Sequence, residues 1–131
     1  MKLTDHAAGP RRLTIAADTG ALAELGRFLT QACVGHPRLT LIELAVTEVV
    51  VNAALHGGAT TCKITVEAFP AGVKVLVEDD GAAFDVSRAE AKALGELREG
   101  GYGVGIIQQA AAELSYGFEQ GWGKLTMSFP F

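Results

Sequence analysis

The chain has 131 residues, 49% of them apolar and 20% charged, and a net charge of −4. That length suits one domain with a real hydrophobic core, and the composition excludes a disordered chain. The basic residues are scattered, with only Arg11 and Arg12 adjacent, so no phosphate-tracking patch exists and nucleic acid is not expected as a direct partner. No stretch approaches the roughly 20 apolar residues of a membrane span, so no membrane is expected either. The opening MKLTDHAAGP lacks the apolar run of a signal peptide. Cys33 and Cys62 have no metal-ligand spacing and sit among apolar residues, which reads as reduced core cysteines of a cytoplasmic protein.

In chain order, residues 1–10 form a polar lead expected to be mobile. Arg11 to Ala17, with Leu13 and Ile15 alternating, predicts a first strand. Asp18 or Thr19 is placed to cap a helix from Gly20 to about Cys33, where Leu22, Leu25, Phe28, Leu29 and Ala32 fall at helical spacing. Leu39 to Gly58 predicts a second helix, apolar almost all the way round and therefore buried on most of its surface. Thr40 with Glu43 has capping-box spacing, and Gly57-Gly58 supplies the left-handed residue that closes a helix.

Thr61–Phe69 and Val73–Asp80 alternate apolar and polar residues on either side of Pro70-Ala71-Gly72, which predicts an antiparallel hairpin with one buried face. Residues 81–105 are punctuated by glycine around a polar helical piece at Ser87–Leu94, the composition of a lid. A helix from Val104 to about Leu114 follows, then a last hairpin of Ser115–Glu119 and Lys124–Phe129. Residues 1–131 thus read as a single α+β domain: a two-layer sandwich with helices on one face of a mainly antiparallel mixed sheet.

Three clusters carry chemistry. Glu48, Asn52 and His56 recur every four residues on the apolar helix, so a carboxylate, an amide and an imidazole share one stripe. Polar groups on such a helix need partners, and a stripe in register faces a cleft, a ligand or a metal. Glu48 and Asn52 offer hard oxygens suited to Mg²⁺, which completes its shell with water and phosphate. Asp79-x-Gly81 ends a strand, where a carboxylate can accept from an exocyclic amine and a glycine lets backbone approach a flat ring. Gly101-Tyr102-Gly103-Val104-Gly105 opens a helix, where free amides and the helix dipole favour phosphate. It is neither a dinucleotide fingerprint nor a P-loop.

In that order, the boxes resemble the GHKL (Bergerat-fold) ATP-binding superfamily. Glu48-Val-Val-Val-Asn52-Ala-Ala-Leu-His56-Gly57 resembles its N-box. Val77-Glu-Asp79-Asp-Gly81-Ala-Ala-Phe84-Asp85 resembles the first glycine box, and Arg98-Glu-Gly-Gly101-Tyr-Gly103-Val-Gly105 the second. The Asn-Ala-x-x-His-Gly ending, the Phe-Asp pair and the Arg-Glu-Gly-Gly lid are most similar to bacterial anti-sigma factor serine kinases.

The resemblance implies a Bergerat fold with a glycine-rich lid, ATP and Mg²⁺ as cofactors, and phosphotransfer to a protein hydroxyl. It implies Glu48 as general base, Asn52 as the Mg²⁺ ligand, Asp79 as acceptor from the adenine amine and Gly81 beneath the base. Gly101, Tyr102, Gly103, Val104 and Gly105 would bind the phosphates. Ala83 and Tyr102 depart from relatives, and only Thr126 on the final strand is available as the threonine that often accompanies the aspartate. The implied partners are a sigma factor or comparable regulator and, as substrate, a small STAS-like antagonist. Relatives form homodimers through the region that is Arg11–Cys33 here. The alternatives are a non-catalytic ATP-binding switch that sequesters a partner, and the catalytic piece of a histidine kinase or a hydrolysing ATPase.

Overall fold

The computed structural model describes residues 9–85 and 102–131. The lead before Gly9, the expected helical piece Ser87–Leu94 and Gly101 lie outside the described residues. The elements run β1 (Arg11–Ala16), α1 (Leu22–Ala32), α2 (Leu39–Gly57), β2 (Thr61–Phe69), β3 (Gly72–Asp79), α3 (Tyr102–Ala110), β4 (Glu113–Glu119) and β5 (Trp122–Pro130). A 3₁₀ turn, Thr19–Ala21, leads into α1, and the Asp18 carboxylate caps it by accepting from Ala21 N at 3.1 Å.

The strands form one five-stranded sheet in the order β1-β2-β3-β5-β4. All four pairings are antiparallel, so the sheet is not the mixed one expected. The antiparallel β2–β3 hairpin forms as expected, but it closes across Phe69 and Gly72, so the turn is Pro70-Ala71 and Gly72 joins the strand one residue before the expected start at Val73. At the β4–β5 turn, Gln120 and Gly121 both have positive φ (54° and 82°), the geometry that matches the twist of paired strands. Alternation then sorts the faces. Ile15, Ile64, Val75, Val77, Leu125 and Met127 are buried and form one core with residues of the helices. Arg12, Thr65, Leu76 and Thr126 follow one another across the opposite face.

α2 packs across the sheet between α1 and α3. Ile42, Ala45, Val46, Val49 and Val50 are its buried positions. The remaining apolar residues are not all covered: Leu44 is 45% and Leu55 74% exposed, so less of the helix is covered than the expected burial over most of its surface. By length and composition alone this helix also passes for a membrane span, a second departure from the sequence reading. Its start differs as well. Arg38 is the N-cap without a side-chain bond, and Glu43 accepts instead from the Thr30 hydroxyl at 2.7 Å, tying α2 to α1. Its end is as expected: Gly58 takes the left-handed conformation (φ 66°) and Ala59 N donates to Ala53 O at 3.0 Å.

α3 stops at Ala110, four residues short of the predicted end, because Ala112 N is captured by Ser128 O at 2.8 Å and the chain enters the β4 ladder. Cys33 and Cys62 are free and buried, as read from their surroundings. Burial pushes their thiols up, to about 11 and about 12 respectively. One buried polar residue was not foreseen. His36 Nδ1 accepts from Arg38 N at 3.0 Å, so Nε2 carries the proton and donates to Phe129 O at 2.9 Å, fastening the α1–α2 loop to β5.

Candidate functional site

The last turns of α2 and the end of β3 converge on a cleft whose floor is β5. The convergence has a covalent cause at Gly81. A Cβ there would stand 2.8 Å from Gly57 O and 3.0 Å from both Ala59 N and Asp79 Oδ1. Only a glycine allows the strand end to meet the helix end, and Ala82 N then donates to Gly57 O at 2.8 Å. Asn52, Asp79, Phe84, Ile107, Tyr116 and Leu125 are among the residues lining the cleft, whose volume is about 30 Å³. Phe84, in that lining, is 41% exposed.

Two aspartates in sequence have opposite surroundings. Asp79 points into the cleft, and burial raises its pKa; a Gly81 N–H bond at 2.9 Å pulls it down and the neighbouring Asp80 charge pushes it up again. Asp80 points outward and accepts from Thr60 Oγ1 (2.6 Å), Thr60 N (2.8 Å) and Thr61 N (3.0 Å), which hold its carboxyl down at about 2. This fastens the end of β3 to the start of β2 and so fixes the backbone on which Asp79 stands.

Asn52 reaches the cleft from α2, and its Nδ2 is buried with no hydrogen-bond partner among the described residues. A buried orphan amide is costly unless something completes it. Glu48 lies one turn earlier, half-buried, and is not among the residues that line the cleft. His56 is exposed with its ring 6.4 Å from that of Phe84. Tyr102, Gly103, Val104 and Gly105 all lie within the first turns of α3, and Val104 is buried. The amides that begin a helix have no partner inside it, so this end of α3 suits an anion. Gly101 is outside the described residues.

Thr126 does not belong to this site. It pairs with Leu76 and lines a separate surface with Arg12 and Thr65 on the opposite face of the sheet. Its neighbour Leu125 faces the cleft instead. The site also holds a residue that the sequence reading passed over. Tyr116 on β4 pairs with Leu125, lines the cleft, and accepts from Phe84 N at 3.1 Å. Alternation of Leu114, Tyr116 and Phe118 gives its face, but only the β4–β5 register brings it to the end of β3.

An α+β fold with a mainly apolar cleft that carries Asn52, Asp79 and Tyr116 between a helix end and a strand end is consistent with an ATPase-type domain. Residues 14–129 match the histidine kinase-like ATPase domain, and the chain belongs to that family, a GHKL-type domain. A search of curated proteins found no match to the chain. Membership implies that the domain binds ATP.

Proposed function

We propose that this protein is a cytoplasmic, ATP-dependent protein serine/threonine kinase of the anti-sigma factor type. It would hold a sigma factor or comparable regulator as a homodimer and phosphorylate a small STAS-like antagonist. The observation that carries the nucleotide reading is the joint occurrence, in one cleft, of an acceptor-only carboxylate at Asp79 and the partnerless buried amide of Asn52. The subtype rests on the motif resemblance at Asn52–Gly57 and Phe84-Asp85.

Asp79 orients the adenine by accepting from its amine through Oδ2, because Oδ1 already accepts from Gly81 N. Gly81 keeps the strand end close to Gly57, so that Asp79 and the end of α2 stand at one cleft. The start of α3, with Tyr102, Gly103, Val104 and Gly105, meets the phosphates through backbone N–H groups, and the motif assigns Gly101 the same role. Asn52 holds Mg²⁺. The donor set fits that ion, which needs only one or two protein oxygens; the Asn52 amide turned about its last bond presents Oδ1 where the orphan Nδ2 stands. When bound, Mg²⁺ supplies charge neutralisation on the phosphates. Glu48 accepts the proton of the attacking serine or threonine hydroxyl, a step that requires hydrogen-bond reach to the nucleophile.

A second reading is an ATP-binding switch without transfer. It is favoured by one observation, that Glu48 is not among the residues lining the cleft. A phosphotransfer assay separates the two. The protein, Mg-ATP and the candidate antagonist encoded beside it are incubated and the antagonist's intact mass is read, with Glu48→Gln as control. Gain of one phosphoryl group, absent with the variant, supports the kinase; a stable ATP-bound complex with no gain supports the switch.

A further inference from the structure

The base end of the cleft carries two polar side chains from different strands, Asp79 of β3 and Tyr116 of β4. They reach the same place because β5 between them has glycine at 123. A Cβ on Gly123 would stand 2.8 Å from the Tyr116 hydroxyl and 3.5 Å from Asp79 Oδ2. The missing side chain therefore leaves a gap over which both oxygens are poised. Gly123 lies directly opposite Asp79 in the β3–β5 register, so the arrangement is built by the ladder and not by loop geometry.

The two oxygens have complementary roles. An ionised carboxylate only accepts, and Asp79 Oδ1 is already engaged with Gly81 N, which leaves Oδ2 for a ligand. The Tyr116 oxygen accepts from Phe84 N at 3.1 Å, which fixes the phenol, and among the described residues its proton is donated to no one. Tyr116 is also the one hydroxyl among the described residues lining the cleft, since Leu125 is apolar and Thr126 lies on the other face.

An acceptor beside a donor matches a ring that bears an exocyclic amine next to an unprotonated nitrogen. Adenine presents that pair. Guanine presents a carbonyl flanked on one side by an N–H, so the carboxylate would meet an acceptor and the hydroxyl could meet a donor. A site built of paired polar groups rejects a ligand that leaves them unpaired. We propose that Tyr116 is a specificity-determining residue, donating its hydroxyl proton to a ring nitrogen flanking the amine that Asp79 reads, and so selecting ATP over GTP. This rests on the ATP reading of the cleft and deepens it.

The test is calorimetric binding of ATP, GTP, 1-deaza-ATP and 7-deaza-ATP to the full chain and to Tyr116→Phe. The proposal expects one deaza analogue to bind the unaltered protein roughly three- to tenfold more weakly than ATP, the effect of one neutral hydrogen bond. Tyr116→Phe should weaken ATP by a similar factor, add nothing to the deficit of that analogue, and narrow the ATP-to-GTP ratio. If the variant weakens ATP and both analogues alike, the hydroxyl merely holds Phe84 and the proposal fails. It fails too if the unaltered protein binds both analogues as tightly as ATP, a result that needs no variant to fold. Absence of ATP binding to the unaltered protein would instead remove the nucleotide reading itself.

Discussion

Replacing Asp79 by asparagine separates binding from stability in a way that follows from its surroundings. Oδ1 accepts from Gly81 N at 2.9 Å. In the variant the amide oxygen must stay there, so the NH₂ group takes the place of Oδ2 and points a donor at the donor of adenine. Loss of a charge-assisted hydrogen bond is worth roughly 1.5–3 kcal/mol, or about a 10- to 150-fold rise in Kd for ATP. The nucleotide-free protein should respond oppositely. Burial holds the Asp79 pKa above its ordinary value of 3.8, so the folded state favours the protonated carboxyl. That contribution is fully present below the ordinary value and is lost as pH rises through the folded pKa. Above the folded pKa the ionised carboxylate is thus a net cost that the neutral amide does not carry. The nucleotide-free variant should melt at or above the temperature of the unaltered protein at pH 7. The gain should vanish in acid. Isothermal calorimetry with ATP and thermal melts across pH measure both. Unchanged affinity would remove Asp79 from the base pocket; a joint fall in affinity and melting temperature would refute the electrostatic reasoning.

Gly81→Ala puts a Cβ 2.8 Å from Gly57 O and 3.0 Å from Ala59 N, neither of which can turn aside; it should destabilise by about 1–3 kcal/mol, and an unchanged melting temperature would refute the close approach. Asp80→Asn should lower stability at neutral pH, because a carboxyl held down at about 2 contributes above its ordinary value of 3.8 and loses that contribution as pH falls between the two. Melts at a series of pH values should therefore show the two proteins converging in acid, and a gap that persists below pH 2 would contradict the Thr60 and Thr61 bonds as its source. Glu48→Gln should retain ATP affinity and lose about 10²- to 10⁴-fold in transfer rate, the usual worth of a general base; full transfer by this variant would end that assignment.

Much of the fold was legible because its signals are local. Alternating valines and isoleucines around a Pro-Ala-Gly connection define the β2–β3 hairpin to within one residue at its turn, and the Gly58 cap ends α2 where expected. The capping box at Thr40 failed for a tertiary reason, since Glu43 has a better partner in Thr30. Apolar residues around almost all of α2 suggested burial over most of its surface, but periodicity does not say how many neighbours a helix has, and Leu55 is left exposed. The cleft was legible at Asn52, Asp79 and Gly81, which stand in contiguous motifs. Tyr116 and Thr126 were not, because a shift of one residue in strand register moves a side chain to the other face. Thr126 is one position from Leu125 and Met127, the inward-facing residues of β5 on either side of it. Asp80, read as the last residue of the strand, proved to be the fastening of β3 to β2.

The central claim is that ATP binds between the end of α2 and the end of β3. Amide chemical-shift mapping of isotope-labelled protein during an Mg-ATP titration tests it most directly. The account predicts saturable shifts concentrated at Asn52, Gly57, Asp79, Gly81, Phe84, Tyr116 and the start of α3, with Arg12, Thr65 and Thr126 on the opposite sheet face unmoved. Shifts centred on that opposite face, with the Asp79 and Gly81 amides silent, would contradict it.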